Sequence, residues 1–175
     1  AYLQAALFGG DRAPFTIGRI TPGQAIYLVG ECCVLRYALE ITGSATGQTL
    51  KPLVMGRVFP TLDAAARYKR DRLDPLVKLM RGREEIAPFT TPVALIPPLN
   101  MVVYAFPIDG QLPTLIAATH RQGVVELLRD LLPDTLNDGF VADACRVELA
   151  HYGRMHRCVL RYHVEGRVAG QAAPE

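Results

Sequence analysis

A chain of 175 residues suits one ordinary domain or two small ones, and with half of its residues hydrophobic and about a fifth charged it can bury a core. A net charge of +2 demands no nucleic-acid partner, no apolar run reaches the ~18 residues that a membrane-spanning helix needs, and no signal peptide is legible. The four cysteines, Cys32, Cys33, Cys145 and Cys158, form no CxxC pair and have no histidine at zinc spacing; they read as reduced packing residues of a cytoplasmic protein.

In chain order, YLQAALF (2–8) places Leu3, Leu7 and Phe8 at helical spacing and ends at Gly9-Gly10. A polar connection leads to the strand QAIYLVG (24–30), a tight turn and the strand CCVLRYALEI (32–41). In that second strand Cys33, Leu35 and Tyr37 share one face, and Val34 and Arg36 the other. The Gly/Ser/Thr loop 41–49 precedes a third strand over 50–59, bounded by Pro60. TLDAAARYKRDRL (61–73) predicts a helix capped by Thr61 or Asp63, and Asp74-Pro75 predicts a restart as a second helix that stops at Gly82. Residues 89–98 predict a short strand broken by prolines, and NMVVYAFPIDG (100–110) the strongest strand of the chain. VVELLRDLL (124–132) predicts a helix ending at Pro133, followed by a hairpin over 144–152 and 157–165. The fold class expected is therefore α+β, an antiparallel β-sheet of about five strands with flanking helices over 1–110, then a smaller unit over 111–175.

The pentapeptide Cys33-Val34-Leu35-Arg36-Tyr37 recurs as Cys158-Val159-Leu160-Arg161-Tyr162, 125 positions later. At the same offset and without a gap, Leu3 meets Leu128, Leu7 meets Leu132, Ala25-Ile26-Tyr27 meets Ala150-His151-Tyr152 and Glu40 meets Glu165. A period this long indicates a duplicated helix–loop–hairpin unit, not a solenoid. The helix 124–132 carries an apolar stripe of Val124, Val125, Leu128, Leu131 and Leu132, which is expected to pack on the first copy.

LVMGRVF, FTTPVALIPPLNMVVYAFP and the twofold CCVLRY/RCVLRY strand resemble the N-terminal lobe of the protein-kinase-like superfamily, in its aminoglycoside-phosphotransferase-type branch. The resemblance covers nearly all of 1–110 and starts again over about 124–167. It implies a kinase-type N-lobe whose third strand carries a phosphate-binding lysine, paired with a helix carboxylate. At the lysine-equivalent position stands Arg57, which is not a conservative exchange. The following helix offers Asp63, Asp71 and Asp74 in place of a glutamate. No G-x-G-x-x-G lies between the first two strands, and none of His120, His151, His156 and His163 opens a His-x-Asp catalytic loop. Asp109 reads as a turn residue, not as a metal ligand.

Arg36 and Arg161 occupy matching places in the two copies, either as anion ligands or as sheet supports paired with Glu40, Glu165 or other strand carboxylates. The basic stretch Arg67, Lys69, Arg70, Arg72, Lys78, Arg81, Arg83 reads as a solvated face, with Asp63–Arg67, Arg70–Asp74 and Asp74–Lys78 at i,i+4 spacing. His151, His156 and His163 fit no metal motif, and Ser44 lacks the context of a nucleophile elbow. Two functional expectations result. In the first, 1–175 is a non-catalytic pseudo-lobe or regulatory cap of an aminoglycoside-phosphotransferase-like protein. The rest of copy two and a C-terminal kinase lobe then lie beyond Glu175, no cofactor binds this segment, and Mg-ATP enters only with that lobe. In the second, the chain is a non-enzymatic scaffold whose copy-two edge pairs with a partner protein. Neither involves nucleic acid, a metal site or a membrane span.

Overall fold

The computed structural model describes residues 1–10, 12–135, 140–153 and 157–168. The fold is α+β with antiparallel sheets, and the chain divides into Ala1–Pro113 and Thr114–Glu175. None of the described helices is long and apolar enough to cross a membrane.

The first unit opens with α1 (Tyr2–Phe8), closed by Gly9 at φ 85°, a left-handed cap that glycine adopts without strain. Strands β1 (Phe15–Leu28), β2 (Cys32–Gly43), β3 (Thr49–Leu50), β4 (Leu53–Val58), β5 (Val93–Ile96) and β6 (Met101–Ala105) form one sheet in the order β1-β2-β4-β6-β5, with β3 pairing β2. The expected third strand is thus two pieces, because Pro52 has no N–H to give to a ladder. One face of the sheet carries Leu39, Ile41, Val54, Ala94, Ile96, Met101, Val103 and Ala105, which pack with Leu7 and Phe8 of α1 and with Phe89 into the principal core. Leu35 and Tyr37 border it, as the alternation along CVLRY requires.

The opposite face carries Met55, Arg57, Val102 and Tyr104, against which the helical stretch 62–79 lies. Thr61 is its cap: the Thr61 hydroxyl accepts the N–H of Ala64 at 3.2 Å. The helix does not restart at Asp74. It runs without a break through α2 (Leu62–Tyr68), a π segment (Lys69–Leu73) and α3 (Asp74–Leu79). Pro75 lacks the N–H that an α-helical ladder would use, and the ladder changes register immediately ahead of it. The π turn also re-sorts the surface ion pairs. Lys69 reaches Asp74 at 2.7 Å and Arg70 takes Asp71 at 2.7 Å, in place of the expected Arg70–Asp74 pair.

In the second unit, α4 (Leu115–Ala118) and α5 (Arg121–Thr135) precede the hairpin β7 (Phe140–Tyr152) and β8 (Cys158–Val168). The backbone of α5 continues two residues past Pro133. Val124, Val125 and Leu128 pack on Phe140, Ala142, Cys145, Val147 and Val164, so this part of the stripe is covered by the unit's own hairpin. Leu131 points outward, 57% exposed; the side chain of Leu132 lies outside the described residues.

The two hairpins share their ladder at the 125-residue offset. Pairs from Phe15↔Gly43 to Pro22↔Tyr37 recur as Phe140↔Val168 to Val147↔Tyr162, and Ile26↔Val34 and Tyr27↔Cys33 recur as His151↔Val159 and Tyr152↔Cys158. Gly18 is the extra residue of one bulge in β1, and Asp143 is the extra residue at the same place in β7. A second one-residue irregularity falls between Pro22 and Ala25 in one hairpin and between Leu149 and His151 in the other. In both units the preceding helix covers the face that bears the Cys, Leu and Tyr of CVLRY.

Candidate functional site

Arg57 sits in the middle strands, opposite Val34 of β2 and Val102 of β6, and is only 4% exposed. Side-chain alternation sends it to the helix-covered face, where three neighbours surround the guanidinium. Nε donates to the Tyr104 hydroxyl at 3.3 Å, Nη1 approaches Cys32 Sγ at 3.6 Å, and the guanidinium carbon lies 4.8 Å from the centre of the Tyr68 ring. Tyr68 in turn packs against Phe59, with ring centres 5.4 Å apart. Each neighbour comes from a different element: Tyr68 ends α2, Tyr104 lies on β6 next but one to Val102, and Cys32 opens β2.

Among the described residues no carboxylate forms an ion pair with Arg57. Of the three aspartates that the sequence offered as counter-ions, Asp71 is spent on Arg70 and Asp74 on Lys69. A buried charge without a counter-ion is costly unless neutral groups solvate it. Here a phenol oxygen, a thiol and an aromatic face do so, and a desolvated cation–π contact contributes about 2 kcal/mol. Burial weighs against the charge of Arg57, but Tyr104, Tyr68 and Cys32 outweigh it and its pKa rises. Burial pushes the Tyr68 phenol up to about 12, against the opposing pull of Arg57, with Asp109 adding to the rise. The Tyr104 phenol is raised for the same first reason, with Tyr68 and Asp109 adding to it. Burial likewise raises the Cys32 thiol in spite of Arg57, so Cys32 is not an activated thiolate.

Asp109 completes the neighbourhood. It is buried, in the turn that follows β6, where Oδ1 accepts the N–H of Gln111 at 2.7 Å, the geometry of the Asx turn expected of it. Gly110 lets the chain pass close to α2, since a Cβ there would meet the Tyr68 hydroxyl at 2.9 Å. That hydroxyl is fully buried and, like Gln111 Oε1, makes no hydrogen bond of ordinary geometry among the described residues, the neighbouring Tyr104 phenol only partly offsetting its raised pKa.

The structure does not bring Arg36 and Arg161 into one site. Arg36 lies on the same face as Arg57, one diagonal step away, since Val34 opposes Arg57 and Arg36 opposes Met55. Its side chain runs along Gly23, where a Cβ would come within 3.0 Å of Nε. Glu40 pairs with Lys51 at 3.8 Å. Arg161 pairs with Glu148 at 3.7 Å across its hairpin, not with Glu165, because Glu148 is its ladder partner. His163 meets the same carboxylate at 3.2 Å, and this holds the Glu148 carboxyl below its usual range. No group of three or more metal-ligating side chains occurs among the described residues, and none of the four cysteines forms a disulfide there. His156 lies outside the described residues.

Sequence reasoning placed Arg57 but missed Tyr68, Tyr104 and Cys32 as its neighbours. Only strand register and the docking of α2 bring these distant positions together, and no local pattern encodes either. Comparison with protein families, with curated proteins and with solved structures finds no match to this chain.

Proposed function

We propose that residues 1–175 are a non-catalytic segment of an aminoglycoside-phosphotransferase-like protein, a degenerate kinase-type N-lobe followed by a partial second copy, which acts as a pseudo-lobe or regulatory cap. The observation that carries this reading is the enclosure of Arg57. A lysine at the equivalent place of the family serves nucleotide phosphates, with a helix carboxylate to orient it. Here the cation is closed in by Tyr68, Tyr104 and Cys32, and two of the helix aspartates that could orient it, Asp71 and Asp74, are engaged elsewhere. Arg57 then supports the sheet in place of a phosphate. The shared ladder of the two hairpins supports the duplication. The cysteines without disulfides and the paired charges of the 67–83 stretch favour a cytoplasmic protein that does not bind nucleic acid.

Titration of the chain with Mg-ATP in a calorimeter tests the reading. The expected outcome is no binding in the low-micromolar range and no phosphate transfer to any acceptor. Turnover that Arg57→Ala abolishes would overturn it.

A second reading, a non-enzymatic scaffold or interaction subunit of a larger assembly, is favoured by a different observation. The hairpin β7–β8 has no third strand among the described residues, so no described strand takes the outer edge of β8.

A further inference from the structure

The first unit shows what such an edge accepts. On β2, the side facing away from β1 is occupied by β4, antiparallel, with Cys33↔Val58, Val34↔Arg57, Leu35↔Gly56, Arg36↔Met55, Tyr37↔Val54 and Ala38↔Leu53. The residues that receive β4 are therefore Cys-Val-Leu-Arg-Tyr themselves. The corresponding edge of β8 is Cys158-Val159-Leu160-Arg161-Tyr162, five identical residues whose partner strand keeps the same register at Cys158, Val159 and Tyr162 and is shifted by one at Leu160. Across the sheet the surroundings also agree. Val54 and Val58 of β4 stand opposite Tyr37 and Cys33 on the face that α1 covers, and in β8 alternation sets Tyr162 and Cys158 on the same face as Val164, which packs under α5. Tyr162 is fixed there by a hydrogen bond from its hydroxyl to the carbonyl of Ala118, 3.0 Å. What differs is occupancy. Val34 and Tyr37, beside β4, are half-buried, whereas the equivalent Val159 and Tyr162 remain 52% and 40% exposed.

Resting on the duplication reading above, we infer that the 158–163 edge of β8 is a docking site for one extended strand of a partner polypeptide, antiparallel to β8 and with the residue pattern of β4. That strand sets apolar side chains beside Cys158 and Tyr162 and a small residue opposite Leu160. The ladder groups of β8 that no described strand takes supply the backbone hydrogen bonds, and the alternating pockets supply the selectivity.

A peptide spanning residues 51–60, KPLVMGRVFP, is the probe, added to the full chain and followed by amide-resolved NMR. In the free protein, cross-strand contacts between Val147 and Tyr162 and between Cys145 and Val164 check the register, and with it the duplication. At peptide about tenfold above its Kd, outward-facing amides in 158–163 should exchange about tenfold more slowly, while the amides of β1 to β6 stay unchanged. A peptide with lysine in place of both valines that match Val54 and Val58 should not produce this protection. If the register contacts appear but the wild-type peptide does not protect 158–163, the docking inference fails and the duplication stands. Loss of the register contacts removes both. Slow exchange of these amides already in the free monomer, or doubling of the particle size through this edge, would also overturn the inference, since the occupant would then be this chain itself.

Discussion

Arg57 keeps its charge among neutral partners, and the group that suffers most in that arrangement is the Tyr68 hydroxyl. It is buried without a hydrogen bond of ordinary geometry among the described residues, which costs about 1–3 kcal/mol. Tyr68→Phe removes the hydroxyl and keeps the ring over the guanidinium, so the melting temperature should hold or rise. A fall of several degrees would show that the hydroxyl is satisfied. Arg57→Lys should do the opposite, because an ammonium cannot reach the Tyr104 hydroxyl and Cys32 together, and we expect a loss of about 1–3 kcal/mol in urea unfolding. The phenol also sets a pH dependence. The Tyr68 pKa is raised from 10.0 to about 12, so the folded state favours the protonated form. Its contribution is complete below pH 10 and disappears as pH climbs through 12, an effect of about 2–3 kcal/mol for a shift of this size. Unfolding measured from pH 9 to 12 should show that decline, and Tyr68→Phe should flatten it.

At the scale of elements, Thr61 caps the helix that delivers Tyr68, and Thr61→Ala should destabilise the first unit by about 1 kcal/mol, read from the shift of its denaturation midpoint. Much of this level was legible in the sequence. Glycines and prolines bounded α1, β4 and β5, alternation assigned the two faces of CVLRY, and one side chain of the Thr61/Asp63 pair was bound to cap. What could not be read was the behaviour between these marks. Asp74-Pro75 carries every sign of a helix start, yet Leu73 and Asp74 stay helical because a π turn absorbs the missing N–H of Pro75. The ion pairs followed that backbone change, and so i,i+4 spacing misassigned the partner of Arg70. Arg57 was legible as a position and not as an environment: its three neighbours are spread from residue 32 to residue 104, and only tertiary packing joins them.

For the whole molecule, the two units differ in how much protects their backbones. The first buries its central strands β4 and β6 between a helix on one face and a helix on the other. Among the described residues the second has two strands, with one face under α5 and the other bearing the exposed Glu148, Arg161 and His163. Local opening depends on that coverage, since few buried apolar contacts and open ladder groups lower the free energy of exchange. Native-state hydrogen exchange should therefore report β4 and β6 as the slowest amides, with β7 and β8 faster by orders of magnitude. Equal protection in both units would contradict the division drawn here.

The repeated pentapeptide also bears on the route to the native state. Two chemically identical edges compete for β4 whenever the whole chain is present at once. Closing β2 onto β4 spans a far shorter loop than closing β8 onto β4, which favours the native choice by about 1–2 kcal/mol in closure entropy. Synthesis on a ribosome adds a temporal guarantee, because β4 emerges and pairs long before β8 exists. Dilution of the full chain from denaturant removes that guarantee. Such refolding should populate a misregistered state that residues 1–113 alone cannot form, seen as a missing fraction of early native signal. Indistinguishable refolding kinetics for the two chains would show that loop length by itself directs β4 to the right edge.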